Sequence, residues 1–332
     1  MTVFAGFALP LFYTSQIEEH LAVRRQAGIF DISHMQPVDV QGPGAKDFLR
    51  YMLASDIARI APGQGFYTVM LNDAGGIMDD TIVYCLASDH YRLIANAACA
   101  QKDLQWLHQQ SAHFAVRIAA LTDYVMMAVQ GPKALAQAVA ITKESWLLQL
   151  PRFACGNHRF MAARTGYTGE DGLEIIAPSA MGMALWEQLA TNIHPCGLGA
   201  RDSLRLEAGL NLYGLDMDEH TTPFECGLKW VVHFGDRDFI GKDALKNHEP
   251  KSKRVGIVLD KGIMRQGQKV LHPAGEGIIT SASFSPLLKK SIALARLPLT
   301  VNINDQVEVI IRDKAHLAKV VRPPFIPLGS QT

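Results

Sequence analysis

The sequence predicts an α+β protein whose C-terminal quarter forms a separate, all-β domain. Three observations carry that reading. Up to about residue 245, helix-like and strand-like periodicities follow one another in mixed order, the signature of an α+β body. From Arg254 onward only short β-like runs occur, and the polar stretch Lys246 to Lys253 separates the two regimes as a linker. The chain has 332 residues, 48% hydrophobic and 19% charged, which is globular and long enough for two or three domains.

The elements follow in order. Ser15 to Glu18 has the spacing of a capping box, so a helix of about three turns starts there and stops at Gly28. Ile29 to Val40 reads as extended chain, and Gly44 to Ala54 as a helix. Phe66 to Leu71 and Ile77 to Leu86 flank Asn72 to Gly76, whose turn chemistry predicts a hairpin. Tyr91 to Ala98 is a further strand, Ala100 to Ser111 a helix, and Val116 to Leu121 and Val125 to Gln130 two more strands. Gly131-Pro132 opens another helix. Ser179 is placed to cap a helix ending near Asn192, and Leu198 to Ala208 is a helix entered from a glycine-rich turn. Five C-terminal strands are expected: Val255 to Leu259, Gly277 to Ser281, Ile292 to Arg296, Val307 to Ile311 and Leu317 to Val321.

Arg164 to Ile175 (RTGYTGEDGLEI) is the most unusual stretch. Three glycines in seven residues mark a backbone that bends tightly or approaches something closely. In the run that follows, period-2 alternation puts Glu174 on the face opposite Leu173 and Ile175. A carboxylate is thus held on a strand beside a glycine turn.

Composition excludes several classes. Lys plus Arg and Asp plus Glu are both 32, so bulk charge does not suit binding to nucleic acid or to an anionic membrane. The five cysteines show no CxxC spacing, which predicts reduced thiols and a cytoplasmic location. No run of about 18 apolar residues predicts a spanning helix, and Pro10 and the lack of early basic residues argue against a signal peptide. HExxH, GxxxxGK[ST], GxSxG and a post-strand GxGxxG are absent, and no metal is expected.

Candidate chemistry comes from a few side chains. Asp79 and Asp80 are strand neighbours beside an apolar run, so one faces a given site. On that pair alone, solvation at a turn edge competes with a carboxylate tuned for proton transfer. Arg201 and Arg205 share one helix face and repel, so protein acids such as Asp202 and Glu207, or a ligand carboxylate, must offset them. From position alone Asn96 reads as a satisfied turn residue and His34 as a hydrogen-bonded structural histidine. Tyr84 and Tyr167 offer faces to a flat ring or simply pack at core edges. Together these features fit a small, flat, anionic ligand without naming it.

An ordered set of segments goes further. Phe4 to Pro10 (FAGFALP), Gly28 to Met35 (GIFDISHM), Asn72 to Asp80 (NDAGGIMDD), Asn96 to Ala98, Gln130 to Pro132, Arg164 to Ile175, Cys196 to Gly209, Leu212 to Gly214, Asp238 to Gly241, Thr280 to Pro286 and Pro324-Phe325 together closely resemble the aminomethyltransferase family, the T-proteins of the glycine cleavage system. The resemblance implies three domains in a clover leaf around a central folate cavity. Residues 1–48 with 122–245 would form one, 49–121 the second, and 246–332 a C-terminal β-barrel. It implies transfer of a one-carbon unit from the aminomethyl-lipoyl arm of H-protein to tetrahydrofolate as co-substrate, with release of ammonia. It further implies that Asp80 is the catalytic acid near the carbon-accepting nitrogens, that Glu174 anchors the pteridine edge, and that Arg201, Asn96, Tyr167, Tyr84 and Met35 bind folate or line its cavity. Phe7 stands where the family has Trp, and Ala282 where it has Gly. The family's further residues before Phe4 lead to an expectation of a looser first domain or a different start site. Two relatives with other functions share parts of the pattern: a tetrahydrofolate-dependent demethylase and a non-enzymatic, folate-binding iron–sulfur maintenance protein. The latter group's Lys-Gly-Cys motif is absent from Thr165 to Asp171.

Overall fold

The computed structural model describes residues 1–327 and 329. Two sheets and a barrel organise it. The first sheet has six strands in the spatial order Cys155–Asn157, Met161–Ala163, Gly172–Pro178, Tyr124–Gln130, Gly28–Asp31 and His194–Pro195. The second has five, in the order Gly65–Leu71, Ile77–Ala87, His90–Ala95, Gln36–Gln41 and Arg117–Ala120. Six strands from Ser252–Leu259 to Lys314–Val321 close a barrel.

Each sheet buries one face against helices. Ala134–Thr142 and Ser179–Ala190 cover the first through Ile29, Val129, Leu173, Ile175 and Leu189. Ala45–Met52 and Ala100–Gln110 cover the second through Val38, Val40, Phe48, Leu49 and Leu107. The opposite faces meet around Phe30, Ile32, Tyr84, Ile94, Met126 and Leu204.

Several expectations shift. Ile29 to Val40 is not one extended segment: Gly28–Asp31 joins the first sheet and Gln36–Gln41 the second. The chain therefore passes from the first sheet to the second at residues 32–35, because Gln36–Gln41 pairs with His90–Ala95 and Arg117–Ala120. The helix Gln16–Arg25 has no side-chain cap from Ser15. Instead Glu19 turns back to accept from the backbone of Tyr13, Thr14 and Gly197, which satisfies donors around the helix entry. Ser179 is likewise not a cap; Pro178 precedes its helix. Short pairings were invisible to periodicity: Thr2–Phe4 with Phe7–Leu9, Cys155–Asn157 with Met161–Ala163, and the barrel strand Lys269–His272. The cysteines Cys85, Cys99, Cys155, Cys196 and Cys226 are free, buried thiols.

The barrel is locked to the body by buried polar contacts. Asp216 accepts from Arg205 at 2.9 Å and from the barrel's Ser281 at 2.8 Å. Glu207 accepts from the barrel's Ser285 at 2.5 Å, and from His20 and Arg24 at 3.0 Å. Leu206 packs with Ile292 and Leu294 beside these contacts. A buried charge is tolerated only when so paired.

Candidate active site

A cavity of about 310 Å³ opens where the two sheets and the barrel meet. The second sheet supplies Tyr67, Asp80, Ile82 and Ile94; the first supplies Glu174 and the turn before it; Arg201 comes from a helix and Arg254 from the barrel.

The glycine-rich turn is explained by what surrounds it. Gly169 takes a φ of +81°, a left-handed conformation that favours glycine. A Cβ at Gly166 would lie 1.9 Å from Gln130 Oε1, so a side chain there would displace the buried Gln130 amide from its hydrogen bonds to Thr165 O and Thr168 Oγ1. Arg164 closes the turn with a bidentate pair to Asp171 at 2.9 and 2.6 Å. The strand that follows pairs Glu174 with Ala128 and Ala163, and it buries Leu173 and Ile175 on the other face, as alternation predicts.

Glu174 is held by a hydroxyl relay: Tyr84 Oη lies 2.8 Å from Thr165 Oγ1, which donates to Glu174 Oε2 at 2.6 Å. One carboxylate oxygen is thereby fixed while the side chain lines the cavity. Tyr84 itself is only 1% exposed and does not line the cavity. It shares a strand face with Asp80 and Ile82, but is set deeper and acts through Thr165.

Arg201 stacks over the ring of Tyr167 at 4.9 Å, and its Nη2 approaches Met35 Sδ at 3.9 Å. Its Nη1 is buried without a hydrogen-bond partner. Burial lowers its pKa while Glu174 and Tyr167 act in the opposite direction. The Arg201–Arg205 repulsion is therefore resolved unevenly. Arg205 is neutralised by Asp202 and Asp216, both at 2.9 Å, whereas Glu207 turns to His20 and Arg24. Arg201 keeps a free donor in the cavity wall. Tyr167 donates to the carbonyl of Asn211, which fixes its ring beneath the guanidinium.

Asn96 is more than a turn residue. Its Nδ2 donates to Asp79 Oδ1 and Asp80 Oδ1, both at 2.9 Å, and to the carbonyl of Asp80 at 3.0 Å. Asp80 is partly exposed onto the cavity, and Asp79 is fully buried. Burial and the neighbouring Asp79 carry the Asp80 pKa up to about 7, against the stabilising hydrogen bonds of Tyr67 and Asn96. A carboxyl poised there suits proton transfer near neutral pH.

Several lining residues gave no sequence signal of their own. Tyr67 faces Asp80 from the neighbouring strand; the hairpin register that puts Val69 opposite Asp80 was the available clue. Trp230 stacks on Tyr67 at 5.9 Å, and Arg254 arrives from the barrel. His34 departs from the expected structural role. It lines the cavity edge-on to Phe4 at 5.6 Å, and its Nδ1 is buried with no partner. Burial and Arg201 lower its pKa to about 4, so it is neutral at pH 7.

Comparison with known proteins gives this arrangement a family. Residues 1–236 match the GCVT N-terminal domain, and residues 253–326 match the glycine cleavage T-protein C-terminal barrel domain. The chain belongs to the glycine cleavage T-protein family. Its relatives in that family include the aminomethyltransferase of Alcanivorax borkumensis, 50% identical over 99% of this chain and 94% of that protein. The aminomethyltransferase of Methylococcus capsulatus is also 50% identical, over 98% and 92%. Among solved structures, the glycine cleavage system aminomethyltransferase T from Bartonella henselae superposes with a TM-score of 0.92 at 35% identity, covering 98% of this chain and 93% of that one. The T-protein fold accounts for the three-domain arrangement and the closed barrel read from the sequence, and the relatives carry the aminomethyltransferase name rather than those of the demethylase or iron–sulfur alternatives.

Proposed function

We propose that the folate-dependent aminomethyltransferase reaction of the glycine cleavage system takes place in this cavity. The single observation that carries the reading is the pairing of a tuned carboxyl, Asp80, with a rigidly held carboxylate, Glu174, on opposite sheets of one cavity. In this reading Glu174 accepts two hydrogen bonds from the amide and amino edge of the pteridine. Arg201, Tyr167, Met35 and Asn96 shape the wall that holds the ring. The aminomethyl group on the lipoyl arm of H-protein meets the folate nitrogens beside Asp80. No helix of the described residues is long and apolar enough to cross a membrane; we place the enzyme in the cytoplasm.

The chemistry balances without an external oxidant or reductant. The methylene carbon gains bonds to two folate nitrogens and loses its bonds to sulfur and to the amine nitrogen. Two protons leave the folate N–H groups; one ends on the sulfur and one on the departing ammonia. The Asp80 carboxylate takes a folate proton as the new C–N bond forms and returns it to a leaving group. Holding nucleophile and electrophile together contributes the remainder of the rate.

The test is Asp80→Asn. Tetrahydrofolate affinity stays within about threefold, because Asn keeps the acceptor for Asn96, while turnover falls by about 10²–10⁴-fold, the span of general acid–base catalysis. Lost binding with an unchanged rate per bound folate contradicts the role given to Asp80.

A further inference from the structure

Behind Asp80 lies a second carboxyl that the reaction as described does not use. Asp103 sits in the first turn of the helix Ala100–Gln110, is 1% exposed, and neither of its oxygens has a hydrogen-bond donor. Its neighbour is Asp79, which is 0% exposed. Neither residue lines the cavity. Two ionised carboxylates side by side in a buried site are untenable, and one proton between them resolves both the repulsion and the missing donor.

The hydrogen bonds say which partner carries that proton. Asp79 already receives two donors from Asn96, the backbone N–H at 3.1 Å and Nδ2 at 2.9 Å. It is the accepting partner of the pair. Asp103 has no such support, so it is the acid and donates to Asp79. The same Asn96 Nδ2 reaches Asp80, so the pair and the reacting carboxyl share one amide.

We propose that Asp79 and Asp103 form a buried carboxylate–carboxylic acid pair that holds one proton and, through Asn96, orients Asp80 and sets its charge. Both are positioning residues. The inference rests on the reading of Asp80 as the group that moves the proton.

The surroundings are consistent with it. Facing Asp80 are Asp79 on its own strand, Tyr67 on the adjacent strand, Asn96, Tyr167 and Cys226. Facing the pair are Cys99 at the helix N-cap, Lys102 from the helix and Asp80 from the neighbouring strand position. The Lys102 ammonium is engaged by Met78 O, Tyr213 Oη and Glu219 Oε1, and its charge lowers the Asp103 pKa without offsetting burial and Asp79. Burial with Asp79 adjacent carries Asp103 up to about 10, so it is protonated at neutral pH.

Two readouts test the pair on the full chain. The first is infrared spectroscopy of the protein alone at pH 8.5. We expect a protonated-carboxyl band in the wild type that Asp103→Asn removes; no such band in the wild type overturns the proposal. The second is the pH profile of turnover with aminomethyl-loaded H-protein and tetrahydrofolate. Asp79→Asn removes the charge that raises Asp80, so the acidic limb moves down by about one unit, a tenfold gain relative to the plateau at a fixed pH below the limb. A superimposable profile overturns the proposal. If Asp79→Asn does not fold, the infrared comparison of the wild type with Asp103→Asn decides the matter alone. If the wild type makes no methylenetetrahydrofolate, the functional reading fails, while the band still tests the pair.

Discussion

Asp80→Asn should make the protein more stable while it slows the reaction. In the folded chain Asp80 titrates at about 7, against 3.8 for an unperturbed aspartate. The fold therefore opposes its ionisation, and the sign follows: stability is fully present below the unfolded pKa and is lost as pH rises through the folded one. At 1.36 kcal/mol per unit, the penalty approaches about 4 kcal/mol at pH 8 and falls to about 2 kcal/mol at pH 5, where the folded carboxyl is neutral. Asparagine avoids this cost and still accepts from Asn96 Nδ2. Water reaching Asp80 through the cavity reduces the amount, so these are upper values. Urea unfolding of both proteins from pH 5 to pH 8.5 should show the variant gaining stability relative to wild type as pH rises. Equal stability across the range, or a variant less stable at pH 8 than at pH 5 relative to wild type, would refute the account of Asp80.

Two further outcomes rest on other parts of the molecule. Glu174→Gln replaces an anionic acceptor with a neutral amide, which costs about 1.5–3 kcal/mol of tetrahydrofolate binding, or roughly 10–150-fold in Kd by titration; an unchanged Kd removes Glu174 as the anchor. Glu207→Gln leaves Arg24 and His20 with a weaker buried partner, and about 3 kcal/mol of stability should be lost in urea at pH 7; a loss under about 0.5 kcal/mol contradicts the interdomain lock. The Glu207 carboxyl is held below its ordinary pKa chiefly by His20, Ser285 and Arg24, which outweigh burial, so its contribution is present above the unfolded value and disappears as pH falls below about 4.5.

Much of this was legible in the sequence, for identifiable reasons. Elements with long, consistent periodicity, such as Ile77–Ala87, Tyr124–Gln130 and Leu198–Glu207, emerged because their own side chains encode a buried face. The placement of Glu174 opposite Leu173 and Ile175 was readable because strand alternation is strict. Pairings of three or four residues, such as Lys269–His272, were not, because so short a run has no measurable period. The exchange of the chain between sheets at residues 32–35 depends on long-range pairing that local pattern does not contain. His34 and Asn96 looked ordinary for a related reason. Their roles come from what lies across the cavity or on the neighbouring strand: Phe4 and Arg201 for one, Asp79 and Asp80 for the other. The glycine spacing marks the turn as constrained, but the side-chain amide that a Cβ at residue 166 would displace belongs to Gln130, on a strand distant in the sequence.

The most direct test of the central claim is the reaction itself. Purified protein is mixed with lipoylated H-protein carrying the aminomethyl group and with tetrahydrofolate, and methylenetetrahydrofolate and ammonia are measured together. The account predicts equal amounts of both products, formed well above the uncatalysed rate and greatly reduced with Asp80→Asn. Product formation no faster than without protein, or unaffected by Asp80→Asn, would contradict it.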